Sequence, residues 1–167
     1  MKIAITGKQC AGKTTLKEIL MKKYGGHEVK FIDKIYQINE LLGVSKNRGF
    51  MQDLGESIRK YFGQDYFVKD FIKRAINFDG SLFCDDVRKI LEFDAVKQSG
   101  FFTIYVEANS DLRKQRAKSL GLDFIEEHPA EMEIELLKSR CDIIFENNQD
   151  IHEIEVFTDN ILKFIKD

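Results

Sequence analysis

One proline in 167 residues, and no Ser/Gly-rich or low-complexity tract, leave nothing that reads as a linker, so a single domain spanning 1–167 is expected. Tryptophan is absent. Cysteine is scarce: Cys10, Cys84 and Cys141 are odd in number and lack Cys-x-x-Cys spacing. That excludes a disulfide framework, argues against a cysteine-based metal site, and suits reduced thiols in a cytoplasmic protein. No apolar run approaches the roughly 20 residues of a membrane span. Gly7 and Lys8 cut the first apolar stretch too short for a secretory signal, so no membrane partner is expected. Neither charge dominates: 26 Lys+Arg against 28 Asp+Glu give a net charge of -2, which removes the global basic field that nucleic-acid binding draws on. The 43% hydrophobic share suffices for a buried core.

What is present alternates. Apolar runs at 2–6, 28–32, 82–85, 101–106 and 142–145 read as strands. Between and after them, helical spacing covers 13–24, 33–42, 47–62, 64–78, 89–98, 111–120, 131–138 and 150–165. The alternation predicts an α/β fold, an approximately five-stranded parallel sheet with helices on both faces. Ligands of such sheets sit beyond the carboxyl ends of the strands.

The first strand runs into Gly7-Lys8-Gln9-Cys10-Ala11-Gly12-Lys13-Thr14, which fits G-x-x-x-x-G-K-[ST] at every fixed position. Glycines let the backbone curl so that successive N–H groups point at phosphate oxygens. The helix that follows aims its positive end at the same anion. Lys13 is placed to reach the outer phosphates of ATP and Thr14 to ligate Mg²⁺, with Gly7, Ala11, Gly12 and Thr15 completing the nucleotide cradle. A guanine-nucleotide switch is disfavoured, because no aspartate has glycine three residues later and 147–150 lacks the lysine of Asn-Lys-x-Asp.

Three further features suit a small P-loop kinase, which needs a carboxylate by the metal, cations for the acceptor and arginines for the transferred charge. Asp85, Asp86 and Arg88 follow an apolar strand, with Asp86 favoured over Asp85 for a functional role, while which of the two stands nearer the metal is left open by the sequence. Arg48, Gln52, Gly55 and Arg59, spaced 4, 3 and 4 apart, form one helical stripe. A glycine inside a helix costs roughly 1 kcal/mol, which suggests a close approach at Gly55. Arg113 and Arg116 face one way on a later helix, as lid cations would.

With these motifs the chain resembles, almost end to end, the deoxynucleoside monophosphate kinases of bacteriophage type, within the wider nucleoside monophosphate kinase group. "RGFMQDLGESIRKYFGQDYFV" is similar to that family's Arg-x-x-Leu-Gln-x-x-Gly-x-x-x-Arg signature, and "CDDVRKILEFDAVKQSG" to its Asp-Val-Arg-x-x-x-Glu segment. "LRKQR" and "HPAEMEIELLKSRCDIIFENN" match its later segments, including Cys-Asp-x-x-x-x-Asn. The resemblance implies an ATP- and Mg²⁺-dependent kinase of a (deoxy)nucleoside 5′-monophosphate. It implies that Asp33, Arg48, Gln52, Arg59 and Arg88 line the acceptor site, within substrate helices at about 33–78. Lys13, Asp86, Arg88, Arg113 and Arg116 would act on the transferred group, under a lid at about 109–128. Met51 departs from the family's leucine, and Phe93 after Glu92 has no family counterpart. Phosphomevalonate and dephospho-coenzyme A kinases share these signatures loosely, so those acceptors stay open, as does a nucleotide-binding regulatory module without turnover. Small-molecule nucleotides, not nucleic acid, are the expected partners, and the apolar-rich helices suit either a monomer's core or a homodimer interface.

Overall fold

The computed structural model describes residues 1–44, 48–124 and 129–165. In chain order the elements are β1 (Lys2–Thr6), α1 (Lys13–Tyr24), β2 (His27–Glu28), α2 (Asp33–Leu41), α3 (Arg48–Phe62) and α4 (Tyr66–Ile76). Then follow β3 (Leu82–Cys84), α5 (Ile90–Gln98), β4 (Phe102–Glu107), α6 (Ser110–Ser119), α7 (Pro129–Leu137), a 3₁₀ turn over Lys138–Arg140, β5 (Ile143–Glu146) and α8 (Ile151–Ile165). The expected α/β architecture is present: one five-stranded sheet in the order β2-β3-β1-β4-β5, with every pairing parallel. None of the described helices is long and apolar enough to cross a membrane.

Strand side chains alternate between faces, and this divides the core in two. Ile3 and Ile5 of β1, Phe83 of β3 and Ile104 of β4 pack against Leu16 and Leu20 of α1 and Ile154 and Ile161 of α8. On the opposite face, Ala4, Leu82 and Cys84 meet Phe71 and Ala75 of α4, Phe93 and Val96 of α5, and Leu137 of α7. A sheet covered on both sides needs apolar residues at both parities, which is why KIAIT and LFC read as continuous apolar runs.

The strand expected at 28–32 is shorter in the structure, where only His27 and Glu28 pair with β3. Val29 N–H still donates to Phe83 O at 2.9 Å. The next inward residue, Phe31, gives its N–H to the Asp86 carboxylate at 3.0 Å instead of to a strand. Val29 and Phe31 are both buried, so the alternation that suggested a strand is real while the ladder ends early. Helix α4 likewise starts at Tyr66 and not at 64, because Gly63 at φ +103° turns the chain and accepts the Tyr66 N–H.

From β1 the chain passes through α1 to the β2 edge, whereas from β3 it passes through α5 to β4 on the other side of β1. The carboxyl ends of β1 and β3 therefore flank the point where the winding reverses, which is where open α/β sheets carry their ligand crevice. The glycine loop leaves one of these strands and Asp85-Asp86 leaves the other.

Phe71 anchors the face below α4: it is fully buried, stacks on Phe31 at 4.1 Å between ring centroids, and tilts against Phe101 at 5.7 Å. Phe71→Ala is expected to cost about 3–5 kcal/mol through lost burial and an unfilled cavity, read as a lowered denaturant midpoint with unchanged slope.

Candidate active site

The loop after β1 holds a conformation that few side chains permit. Gly7 has φ +141°, and a Cβ there would lie 2.3 Å from the Val106 carbonyl oxygen. Gly12 has φ +103°, and its Cβ would lie 2.2 Å from the Asn147 side-chain nitrogen. Cys10 is the one non-glycine at positive φ among the described residues. Asn147, buried at the end of β5, donates Nδ2–H to Ala11 O at 2.7 Å. Arg116 donates to Cys10 O at 3.4 Å and to Ala11 O at 3.3 Å. These bonds fix the carbonyls of Cys10 and Ala11 in place from β5 and α6. The Lys13 ammonium spans the loop, donating to Gly7 O at 2.7 Å and Lys8 O at 2.8 Å. Helix α1 begins at this lysine, with Thr14 and Thr15 in its first turn and no acidic residue there to oppose an anion.

The two aspartates after β3 point to opposite faces, as consecutive residues of an extended chain do. Asp85 shares the parity of Phe83 and turns toward α1. Its Oδ2 accepts from Thr14 Oγ1 at 2.8 Å and pairs with Lys17 Nζ at 3.0 Å. Asp86 shares the parity of Cys84 and turns to the other side, accepting from Phe31 N–H at 3.0 Å and from the Cys84 thiol at 3.1 Å. The carboxylate that meets the threonine of the loop is therefore Asp85, and Asp86, favoured by the motifs, lies on the opposite side of the strand.

Their electrostatics differ as sharply as their directions. Enclosure without a cation pushes the Asp86 carboxyl up to about 7, and the nearby charges of Glu92 and Asp85 push the same way. Asp85 has a cation: Lys17, 5% exposed, bonds both Asp85 and Glu28. Burial alone would lower the Lys17 ammonium, but the bonds to Glu28 and Asp85 outweigh it and hold it above the usual lysine value. Lys30 adds a second cation to Glu28 at 3.1 Å. Thr14 and Asp85 make a hydroxyl–carboxylate corner of the kind that holds Mg²⁺ jointly with nucleotide phosphates. Among the described residues no three His, Cys, Asp or Glu side chains gather to hold a metal alone.

Of the residues expected to line an acceptor site, only some are brought together. Asp33 opens α2 and is engaged, accepting from Arg74 at 2.7 Å and from Lys30 N–H at 2.9 Å. Arg74 is itself bonded to Asp70 and to Lys30 O. Arg59 lies half-buried with its guanidinium 5.1 Å from the Phe67 ring, Gln52 is exposed, and the Arg48 side chain lies outside the described residues. Gly55 is buried because α2 approaches it: a Cβ there would stand 3.1 Å from Ile35 Cδ1. The close approach foreseen at this glycine is thus a helix–helix contact. Arg88 is exposed at the entrance to α5, where its N–H and that of Lys89 bond Glu92.

Arg113 and Arg116 do not stand free over the crevice. Arg113 is 4% exposed, donates to Ala108 O at 3.1 Å and Gln9 O at 3.5 Å, and packs its guanidinium 5.3 Å from the Phe124 ring. With Arg116 on Cys10, Ala11 and Asn147, both arginines grip the glycine loop's backbone. Part of the expected lid, residues 125–128, and the His128 and Glu131 side chains lie outside the described residues.

Motif reading passed over Lys17 and Glu28. Lys17 stands one helical turn after Lys13 between the buried Leu16 and Leu20, and a lysine on a core-facing turn asks for a buried carboxylate.

No protein-family model matches the chain, and no curated protein matches it. Solved structures do, at low identity. A shikimate kinase from Acinetobacter baumannii superposes with a TM-score of 0.59 at 17% identity, covering 99% of this chain and 92% of that one. The APS kinase CysC of Mycobacterium tuberculosis gives 0.59 at 8% identity, over 99% and 97%. A deoxyadenosine kinase from M. mycoides gives 0.56 at 18% identity, over 97% and 100%. The fold is that of the P-loop kinases.

Two predictions test these charges. An ordinary aspartate titrates near 3.9, so from about pH 4 to about 7 folded Asp86 keeps a proton that the unfolded chain has lost. The folded state then binds more protons, and this group's effect is to lower stability as pH rises. In nucleotide-free protein, urea midpoints should diverge in favour of Asp86→Asn across that window and run parallel above it. Lys17→Met leaves Asp85 enclosed without its cation and is expected to cost about 3–5 kcal/mol, with Lys17→Arg retaining most of the stability in the same denaturation experiment.

Proposed function

We propose that the protein is a phosphotransferase moving the γ-phosphoryl group of ATP to a (deoxy)nucleoside 5′-monophosphate, giving ADP and the nucleoside diphosphate. The observation that carries this reading is the corner where Thr14 Oγ1 meets Asp85 Oδ2 at 2.8 Å, beside a loop spanned by Lys13. An acceptor phosphate oxygen attacks Pγ, the bond from Pγ to the β–γ bridging oxygen breaks, and the electron pair leaves on ADP. The protein's work is positioning and charge. Loop amides and the α1 terminus hold the donor phosphates, and Lys13 moves from the loop carbonyls to the outer phosphates. Asp85 orients the Thr14 hydroxyl. Thr14, with Asp85 behind it, would hold Mg²⁺, which would supply positive charge against the phosphates.

Solved kinases of this fold are named for shikimate, APS and deoxyadenosine, so the acceptor is argued from residues and not from the fold. Arg59 and Gln52 on α3 and Arg88 beyond Asp86 offer two guanidinium forks and an amide on the acceptor side of the crevice. Planar forks suit a phosphate and its neighbouring hydroxyls. Asp33, bonded by Arg74, fixes the start of α2, and Arg113 and Arg116 hold the loop that carries the donor.

The test follows ADP release from ATP and Mg²⁺ across ribo- and deoxynucleoside monophosphates, dephospho-coenzyme A and phosphomevalonate. Strong stimulation by nucleoside monophosphates, abolished in Lys13→Ala, is the expected outcome; stimulation by the other acceptors alone moves the acceptor assignment. Arg59→Ala should raise the acceptor KM about tenfold or more, as loss of a charged hydrogen bond does, while the KM for ATP stays within a factor of about two.

A further inference from the structure

Helix α2 buries two residues one turn apart, Ile35 and Asn39. The first is an ordinary core residue, 3% exposed. The second is not: Asn39 is 4% exposed, and both its Nδ2 and its Oδ1 are enclosed without a hydrogen-bond partner. Among the described residues no other side chain has two such atoms. Its backbone carbonyl is satisfied by Val44 N–H at 3.1 Å, so the deficit belongs to the carboxamide alone. A carboxamide carries two donors and an acceptor with two lone pairs. Burying them unpaired costs stability that a leucine of similar volume would not forfeit.

The surroundings say what could offset that cost. Ile35 packs on Gly55 of α3. Asn39, one turn beyond Ile35, is on the same buried face of α2. On α3, Gln52 and Arg59 lie about one turn to either side of Gly55. The orphaned amide thus sits in the seam between the helices that bear the acceptor-side residues. That seam is lightly closed: in α3, among its described residues, only Gly55 is buried. A small shift of α3 uncovers Asn39 at little loss of apolar contact.

We propose that Asn39 is the residue that reads the acceptor's base: its carboxamide pairs with the adjacent donor and acceptor atoms on a nucleobase edge when α3 moves to admit the monophosphate. The proposal rests on the reading of the protein as a nucleoside monophosphate kinase and names the part of the substrate recognised in the α2–α3 seam. A carboxamide offers a donor beside an acceptor, the complement of an amino group beside a ring nitrogen or of an N–H beside a carbonyl.

The experiment compares the wild type with Asn39→Leu and Asn39→Asp. It measures the melting temperature without ligands, KM and kcat for ATP, and KM and kcat over the panel of nucleoside monophosphates. Asn39→Leu is expected to melt at or above the wild-type temperature while the KM of the preferred acceptor rises about tenfold or more, as loss of one or two neutral hydrogen bonds implies. The KM for ATP should stay within a factor of about two. Asn39→Asp, close in shape but offering only acceptors when ionised, is expected to reorder the preference among bases. A stabilised Asn39→Leu with wild-type acceptor kinetics overturns the proposal, leaving the amide a structural orphan. A destabilised Asn39→Leu with ATP and acceptor parameters impaired together also overturns it, in favour of an amide that serves the fold. If Asn39→Leu does not fold, an unchanged base preference in Asn39→Asp overturns it alone. A wild type that phosphorylates no nucleoside monophosphate sinks the functional reading itself, an outcome the variants cannot mimic.

Discussion

The structure turns on one carboxylate. Asp85 leaves β3 on the same face as Phe83, and there it meets a hydroxyl and an ammonium from the first two turns of α1. Those contacts join the two strands at the winding reversal: β1 delivers Thr14 and Lys17 through the glycine loop, and β3 delivers Asp85. The two strands already pair within the sheet, and these contacts carry the connection beyond their carboxyl ends. With them, loop, helix and carboxylate form one rigid unit, and a rigid first layer is what positioning catalysis requires. Burying the pair has its own cost, because both ions lose water. That the chain keeps it where a hydrophobic pair would serve stability as well argues that orientation, not stability, is what it supplies.

From that node a second chain of contacts runs toward the acceptor helices. Lys17 bonds Glu28 at the end of β2, Glu28 also holds Lys30, and Lys30 lends its backbone to Asp33 and Arg74 at the start of α2 and the last turn of α4. Phe31, between them, gives its N–H to Asp86. Residues 28–33 are thus tied at one end to the Lys17–Asp85 pair and at the other to α2 and α4. This explains why the segment leaves the sheet early: its polar groups are claimed by side chains of the site, and only Val29 and Phe31 remain to fill the core.

Much of this was legible beforehand, and the parts that were not share a cause. The glycine loop could be read from spacing alone, because its chemistry demands glycine at two fixed places and both are confirmed by would-be Cβ clashes at Gly7 and Gly12. The parallel sheet followed from alternating periodicities. The segment at 28–32 was misread because an extended chain buried on one side has the same period whether or not a neighbouring strand is present. Asp85 and Asp86 could be sent to opposite faces by parity, but the face that carries α1 is a property of the winding, not of the local pattern. Arg113 and Arg116 share a helix face in either role, and only the tertiary structure shows that Gln9, Cys10 and Ala11 lie beneath them. Lys17 was missed because its partners are 11 and 68 residues away, at Glu28 and Asp85.

Adjacent carboxylates in opposite environments give the crevice its polarity. Asp85 has a cation and a hydroxyl donor beside it, in Lys17 and Thr14. Asp86 accepts a backbone amide and a thiol, and burial of its carboxyl together with the nearby charges of Glu92 and Asp85 pushes it up to about 7. One strand end thereby presents a lysine-paired carboxylate toward α1 and, on the other side, a carboxyl that holds its proton more tightly than an ordinary aspartate. In the proposed kinase, such a carboxyl would oppose a doubly negative acceptor phosphate less than a fully ionised one would. The same alternation that divides the hydrophobic core into two faces thus sends two consecutive carboxylates into different surroundings.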